Sequence, residues 1–201
     1  SHPFNCAEAI DGSGDVYVVG DFVNYQGVSR PGAVRLNDDG SFDAGFNLGS
    51  GLNAFGKVIL QPRDGSGDVI ILGRQTQRNG VNLNSLHITR FNSDGTEDTA
   101  YDAGEPFGTG TGRWVNGAKF AHDGSGAIFI AANAGVAPYR TFKINADFSM
   151  DTAYNATAPD PSNWMEDVVL DYTDLGKAYY TGEGDITNYT NLHRLASDGS
   201  V

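Results

Sequence analysis

The sequence repeats one short phrase along its length. Residues 11–20 read DGSGDVYVVG, residues 64–73 read DGSGDVIILG, and residues 123–130 read DGSGAIFI. A more divergent fourth copy, TDLGKAYY, occupies residues 173–180. The shared glycines at 14, 67, 126 and 176 are 53, 59 and 50 residues apart. This period indicates one supersecondary unit copied several times, with each copy burying its apolar face on the next.

A second phrase follows each first one. Residues 35–46, RLNDDGSFDAGF, correspond to residues 90–101 and 143–154, and the chain ends inside a fourth copy at residues 194–201. Each unit then reads as a short apolar run, a glycine-rich turn, a β-branched and aromatic run, a polar loop, and an alternating run closed by an Asp-Gly turn. We therefore predict four repeats, at about residues 1–47, 48–102, 103–155 and 156–201, each a short antiparallel four-stranded meander.

These units predict an all-β, β-propeller-like array forming a single repeat domain over residues 1–201. Four short strands in about 40–55 residues is the size of a propeller blade. The second run of each unit, at residues 16–19, 69–72, 127–131 and 178–181, is predicted to be the central strand. No segment has convincing helical periodicity. Because the last copy stops inside its Asp-Gly turn, we expect the chain to be part of a longer protein.

Composition excludes several classes of partner. The net charge is −12 over 201 residues, with no cluster of lysine and arginine for a nucleic-acid groove or an anionic membrane surface. No apolar run reaches the roughly 20 residues of a membrane helix. The single cysteine, Cys6, rules out an internal disulfide and a multi-cysteine metal site. We expect an acidic protein that neither binds nucleic acid nor inserts into a membrane.

The first two units resemble a known repeat family. Residues 20–22 (GDF), 25–30 (YQGVSR), 33–41 (AVRLNDDGS) and 60–62 (LQP) are similar to the delta-60 repeat, a β-propeller-type repeat of bacterial secreted and surface proteins and of some phage structural proteins. The resemblance covers nearly the whole chain and weakens in the last two units. It implies a propeller-type fold in an extracellular, cell-surface or virion setting, and it brings no catalytic motif.

One basic residue and one aspartate recur at fixed spacing. Arg35, Arg90, Lys143 and Arg194 share a strand position, and Asp43, Asp98 and Asp151 each follow eight residues after the first three. A hairpin through the intervening turn predicts one structural ion pair in each repeat. The alternative is a row of ligand-binding cations.

The glycine-rich turns carry oxygens at alternate positions. The candidates are Asp11, Ser13 and Asp15, with their copies Asp64, Ser66 and Asp68. Alternate oxygens suit Ca²⁺, which takes six to eight ligands. However, no acidic residue closes either loop, and Ala127 replaces the last aspartate in the third copy. We therefore favour a plain polar turn over a calcium site, and expect no other metal or cofactor.

Aromatic residues mark a candidate binding surface. Phe55, Trp114 and Trp164 hold one position relative to the turn, and Tyr25 lies in a polar loop. Such residues either pack between blades or offer flat faces to sugar rings. No motif of a nucleophile, base or metal-dependent hydrolase is present.

We therefore expect a non-catalytic adhesion or recognition module, extracellular or on a virion surface, that binds a glycan or a protein through its rim loops. The alternatives are a spacer or assembly domain of a fibre, coat or phage particle, whose partners include copies of itself, and a glycan-active enzyme.

Overall fold

The computed structural model of the chain describes residues 2–82, 87–101, 114–133, 141–157, 165–174, 177–182, 192–196 and 198–200. The chain divides into two compact units, Ser1–Glu105 and Pro106–Val201. The strands of the first unit are β1 (His2–Glu8), β2 (Val16–Asp21), β3 (Asn24–Tyr25), β4 (Val28–Ser29), β5 (Ala33–Leu36), β6 (Gly56–Leu60), β7 (Val69–Gly73), β8 (Gln77–Arg78), β9 (Val81–Asn82) and β10 (Ile88–Phe91). The second unit contains β11 (Trp114–Phe120), β12 (Ile128–Asn133), β13 (Thr141–Ile144), helix α1 (Thr152–Thr157), β14 (Met165–Leu170), β15 (Ala178–Gly182) and β16 (Leu192–Leu195).

Each unit contains two three-stranded antiparallel sheets, one in each predicted repeat. Their strand orders are β1-β2-β5 and β6-β7-β10 in the first unit, and β11-β12-β13 and β14-β15-β16 in the second. The predicted central strands, now β2, β7, β12 and β15, are central in all four sheets. The all-β prediction is therefore confirmed. Within the described residues, no helix is long and apolar enough to cross a membrane.

The first strand of each three-stranded sheet has a bulge at the same place. The pairing skips one residue between Pro3 and Asn5, and the same irregularity occurs in β6, β11 and β14. A bulge increases the local twist and bends the strand. Opposite it in the first sheet, a Cβ atom on Gly20 would lie 2.4 Å from the carbonyl oxygen of His2, so only glycine fits there.

Within each unit, one apolar cluster joins the two sheets. In the first unit, Tyr17 and Val19 of β2 belong to the same buried cluster as Ile59 of β6 and Ile71 of β7. In the second unit, the cluster contains Phe129, Tyr154, Val168, Tyr180 and others. This face-to-face burial between consecutive sheets is what a repeat of this kind needs for stability.

The predicted fourth strand is reduced to one bridge. Single-residue bridges join Leu36 to Phe42, Phe91 to Glu97, and Ile144 to Met150. The next residue in each repeat is Asp43, Asp98 or Asp151, whose side chain accepts a hydrogen bond from a backbone amide two or three residues later. An aspartate that binds its own backbone favours turns and helix starts over strands. The chain accordingly forms a 3-10 turn at Thr99–Tyr101 and helix α1 at Thr152–Thr157, where the sequence predicted strand.

Candidate functional site

In the first repeat, the guanidinium group of Arg35 lies against the glycine-rich turn. Strand pairing sets Tyr17 of β2 opposite Arg35 of β5, next to the turn that precedes β2. Nη2 of Arg35 donates to Asp11 Oδ2 at 2.6 Å, and Nε donates to Asp15 Oδ2 at 3.0 Å. Nη2 also lies 3.3 Å from Ser13 Oγ. We call this set of one arginine and three turn residues an arginine cradle.

The second repeat builds the same cradle. Nη2 of Arg90 donates to Asp64 Oδ2 at 2.7 Å and to Ser66 Oγ at 3.1 Å, and Nε donates to Asp68 Oδ2 at 2.9 Å. The guanidinium carbon lies 4.0 Å from the centre of the Tyr101 ring. Only 7% of the Arg90 side chain is exposed. Charge-assisted bonds of this length in a buried place are stronger than surface ion pairs.

The structure also brings the three predicted pairs together. The separations are 3.4 Å from Arg35 Nε to Asp43 Oδ2, 3.6 Å from Arg90 Nε to Asp98 Oδ2, and 3.1 Å from Lys143 Nζ to Asp151 Oδ2. The two arginines nevertheless make their shorter contacts with the turn aspartates, which sequence reasoning did not connect to them. The sequence did contain a signal for these contacts. The third copy has Lys143 in place of the arginine, and it also has Ala127 in place of the second turn aspartate.

The first carboxylate of each cradle, Asp11 or Asp64, is stabilised in its charged form. The pKa of Asp11 falls from 3.8 to about 2, because Ser13 donates to it from its hydroxyl and its backbone amide, with Arg35 adding to the effect. The pKa of Asp64 also falls to about 2, through the same bonds from Ser66 and the neighbouring Arg90. Hydrogen bonds and positive charge both favour a carboxylate over the neutral acid.

The calcium hypothesis concerns the same oxygens. The Oδ2 atoms of Asp11, Asp15, Asp64 and Asp68 all accept from an arginine, so a cation entering either turn would displace or face a guanidinium group. Within the ranges that the structure describes, no group of three or more His, Cys, Asp or Glu residues could hold a metal ion. The expectation of a plain polar turn instead of a calcium site stays a prediction, and these contacts do not favour calcium.

The third repeat departs from the cradle at two positions. Ala127 replaces the second turn aspartate and Lys143 replaces the arginine. The turn keeps its local bonds, since the Ser125 amide donates to Asp123 Oδ1 at 2.9 Å and the Ala127 amide donates to Ser125 Oγ at 3.2 Å. Between this turn and the turn at residues 145–147 lies an open cleft of about 440 Å³.

The fourth repeat has no cradle in its described part. Lys177 directly precedes β15, as Asp15 precedes β2, and it forms an ion pair with Asp174. Arg194 is exposed and lies opposite Tyr179 in the pairing of β15 and β16.

Three of the four predicted aromatic residues lie within the described part of the chain, and all three are half-buried. Tyr25 is half-buried, and its hydroxyl donates to the Gly40 carbonyl at 2.8 Å. Phe55 is half-buried and packs edge-on against Phe4, with ring centres 5.2 Å apart. Trp114 begins β11 and is half-buried. Trp164 lies outside the described residues. Tyr25 and Phe55 therefore already have contacts within the fold.

Two small hairpins of the first unit each present one exposed valine. β3 and β4 are joined by Gln26 and Gly27, and β8 and β9 by Asn79 and Gly80; all four turn residues have positive φ, as tight hairpin turns require. Val28 is 41% exposed and Val81 is 68% exposed. The sequence indicated only a polar loop here, so these hairpins were missed. For the second hairpin, the Asn-Gly pair at residues 79–80 was the available signal.

The segment at residues 50–53 connects the bases of the two hairpins. The Leu52 amide donates to the Pro31 carbonyl at 3.1 Å, beside the first hairpin, and Leu52 also forms a bridge with Arg78 of the second. Asn79 Oδ1 accepts from the Ser50 amide at 2.9 Å. Because backbone bonds hold both hairpins to one segment, their exposed valines sit on a braced surface.

Comparison with known proteins supports the fold. Residues 12–46 match the family model described as "Domain of unknown function (DUF5122) beta-propeller". The chain also matches the crystal structure of an ancestral GH74 enzyme at a TM-score of 0.53 and 12% identity, over 98% of this chain and 23% of that one. No curated protein matches the sequence. The chain thus contains a β-propeller-type repeat, and it corresponds to about a quarter of the length of that structure.

Proposed function

We propose that this chain is a non-catalytic recognition module of an extracellular, cell-surface or virion protein, of the delta-60 repeat type. It binds a glycan or a protein partner through the hairpins β3–β4 and β8–β9. The observation that carries the proposal is the combination of exposed valines with a braced backbone at those hairpins. Preorganised loops lose little conformational entropy on binding, and functional residues concentrate on loops that a rigid scaffold positions.

Charge and polarity around the hairpins suit a neutral or polar ligand. Arg30 is stacked 4.1 Å from the centre of the Phe42 ring, and Arg78 donates to the Gly95 carbonyl at 2.8 Å. Both guanidinium groups are therefore engaged inside the fold. Amide side chains supply hydrogen-bonding groups at the second hairpin, where Gln77 Nε2 donates to Asn82 Oδ1 at 2.8 Å. Apolar contacts combined with amide groups are what sugar rings and polar peptides require.

The test compares matched valine variants of the full chain on a glycan array. Val28→Ser and Val81→Ser remove exposed apolar surface from the hairpins, whereas Val169→Ser makes the same change on exposed β14 of the other unit. We expect the hairpin variants to lower binding of any positive glycan by about tenfold, the size of effect that losing one apolar contact produces. Val169→Ser should bind like the unchanged protein, and all three should keep their thermal midpoint.

Equal losses in all three variants would contradict a hairpin site. The aromatic version of the proposal has its own test, because a ligand stacked on Trp114 would shift tryptophan fluorescence. Trp114→Ala should then reduce affinity more than it reduces the thermal midpoint. A large fall in the midpoint with unchanged affinity would assign Trp114 to packing alone.

A second candidate is an assembly or spacer role, which one observation favours. Val169 of β14 and Leu192 of β16 are both more than half exposed on the same face of the last sheet. Such a face suits contact with another copy or another part of the parent assembly. Sedimentation of the chain as a defined oligomer that Val169→Ser weakens would support this role. The third candidate, a glycan-active enzyme, rests only on the neighbour titled an ancestral GH74 enzyme.

A further inference from the structure

The two faces of each three-stranded sheet can be told apart by what they meet. Val19 of β2 shares a buried cluster with Ile59 of the following sheet, and Ala131 of β12 shares one with Val168 of the following sheet. Successive side chains of a strand point to opposite faces. We call the face that carries Val19 or its repeat equivalents Leu72, Ala131 and Thr181 the forward face. The opposite, backward face carries Val18, Ile71, Ile130 and Tyr180.

The forward face is buried in the first three sheets and open in the fourth. Its central-strand residue is 0% exposed in the first three, at Val19, Leu72 and Ala131. The equivalent Thr181 of β15 is exposed. Leu192, opposite Thr181 on β16, is 63% exposed, and Val169 of β14 is 51% exposed on the same face. The counterparts of Leu192 in the other sheets are at most 3% exposed, namely Ala33, Ile88 and Thr141.

The backward face has the reverse pattern, because it is open in the first sheet. Its central-strand residue is 0% exposed in the other three sheets, at Ile71, Ile130 and Tyr180, whereas Val18 is only half-buried. Cys6, opposite Val18 on β1, is exposed. The counterparts of Cys6 on β6, β11 and β14 are at most 7% exposed, namely Ile59, Ala118 and Val168. The first sheet therefore leaves open a surface that the other sheets bury.

Each unit shows how a forward face is covered. Strand β6 packs against β1 and β2 in the first unit, and β14 packs against β11 and β12 in the second. In both cases the first strand of a backward face lies on the first and central strands of a forward face. Repeat units gain stability by this burial. Among the described residues, the first and fourth sheets supply one open surface of each kind.

We propose that the chain associates with a second copy of itself head to tail. The backward face of β1-β2-β5 in one copy covers the forward face of β14-β15-β16 in the other. Thr181 and Leu192 then gain the apolar cover that Val19 and Ala33 have within the first unit. Contact between two different surfaces is heterologous, so it closes into a ring or extends into a filament. The proposal rests on the assembly role named above as the second candidate, and it is independent of ligand binding at the hairpins.

Sedimentation of charged variants tests both faces. Leu192→Asp and Cys6→Asp each place a carboxylate without a partner in the contact, and both side chains are exposed in the single chain. Each should weaken association of the chain by at least about tenfold and leave the thermal midpoint unchanged. Val81→Asp, at a 68% exposed hairpin residue outside both faces, is the control and should associate like the unchanged protein. An unchanged protein that stays monomeric up to about 1 mM would overturn the proposal together with the assembly role.

Mixing the two variants tests the head-to-tail geometry. Leu192→Asp keeps its backward face and Cys6→Asp keeps its forward face. An equimolar mixture should therefore form a one-to-one pair that neither variant forms alone, and the pair should grow no further. Association of Cys6→Asp alone, with Leu192→Asp monomeric, would mean that two forward faces meet. The assembly role would then stand and the head-to-tail contact would be refuted. Failure of the mixture to pair would refute it as well.

The single cysteine reports the contact in the unchanged protein. Cys6 is exposed in the single chain, and the proposed contact covers it. The rate at which its thiol reacts with dithionitrobenzoate should fall as the protein concentration rises. In Leu192→Asp the rate should stay constant, although the substitution lies on the other open face. A rate that stays constant while the unchanged protein associates would place the interface elsewhere and overturn the proposal.

Discussion

The second and third repeats use the same strand position in different ways. Arg90 reaches back to the turn and pairs with Asp64 and Asp68, whereas Lys143 pairs with Asp151. Both repeats keep the same three-stranded sheet and the same turn backbone. The difference teaches that the same three-stranded sheet forms with and without the cradle, so a repeat does not require the cradle for its fold.

The largest expected effect tests whether the two sheets are equally well packed. Ile71 of β7 and Ile130 of β12 are fully buried at equivalent positions of the central strands. Replacing either by alanine should lower the free energy of unfolding by about 2–5 kcal/mol, because both leave a core cavity. Denaturant unfolding of the two variants measures this. A loss below about 0.5 kcal/mol at either site would place that side chain outside the core.

The next prediction compares how much Arg90 of the cradle and Lys143, its counterpart in the third repeat, contribute to the free energy of unfolding. Arg90→Ala leaves buried carboxylate charge without a partner and should cost about 3 kcal/mol. Lys143→Ala should cost about 1 kcal/mol or less, because it removes one ion pair with a more exposed lysine, 17% against 7%. Thermal and denaturant unfolding supply the values, with Arg63→Ala as an exposed control. Equal costs for Arg90 and Lys143 would remove the contrast between the two repeats.

Double-mutant cycles resolve which aspartate matters within the second repeat. Arg90 lies 2.8 Å from Asp68 and 3.6 Å from Asp98. We expect a coupling energy of about 1–3 kcal/mol for the Arg90–Asp68 cycle and a smaller one for Arg90–Asp98. A larger coupling to Asp98 would show that Asp98, and not the turn aspartate Asp68, is the main partner of Arg90.

The smallest expected effect is on the pH dependence of the free energy of unfolding at acidic pH. Because the folded pKa of Asp64 is about 2 and its ordinary value is 3.8, its contribution is complete above pH 3.8 and is lost as the pH falls through about 2. Ser66→Ala removes the main cause of the shift and should flatten this acid dependence. The difference should stay below about 1 kcal/mol, since the Asp64 side chain is 44% exposed and solvent screens it. An unchanged slope in pH-dependent unfolding would contradict the assigned cause.

Much of this fold could be predicted from the sequence because strands and turns have local signals. The β-branched runs predicted the central strands, and the repeated phrase predicted one sheet in each repeat. The fourth strand was wrong because Asp43, Asp98 and Asp151 accept bonds from their own backbone, a local competition that strand propensity does not count.

The cradle was harder to predict than the ion pair between Arg90 and Asp98. Asp98 is eight residues from Arg90 and is linked to it by a simple turn, whereas Asp64 and Asp68 are 26 and 22 residues away. Only the register of β7 and β10, with Ile70 opposite Arg90, brings them together. The spacing of residues along the sequence does not tell in which direction a long arginine side chain extends when several carboxylates are within its reach.

The two matching cradles also bear on how faithfully the chain folds. During folding, a strand that carries Arg35 or Arg90 meets two turns with the same DGSGD sequence, and repeat proteins fail characteristically by exchanging such equivalent segments. Strand β13 carries Lys143, whose partner Asp151 is supplied from its own hairpin, eight residues along the chain. Because Ala127 and Lys143 replace the second turn aspartate and the arginine, the third repeat differs from the first two at both positions that an exchanged strand and turn would have to match.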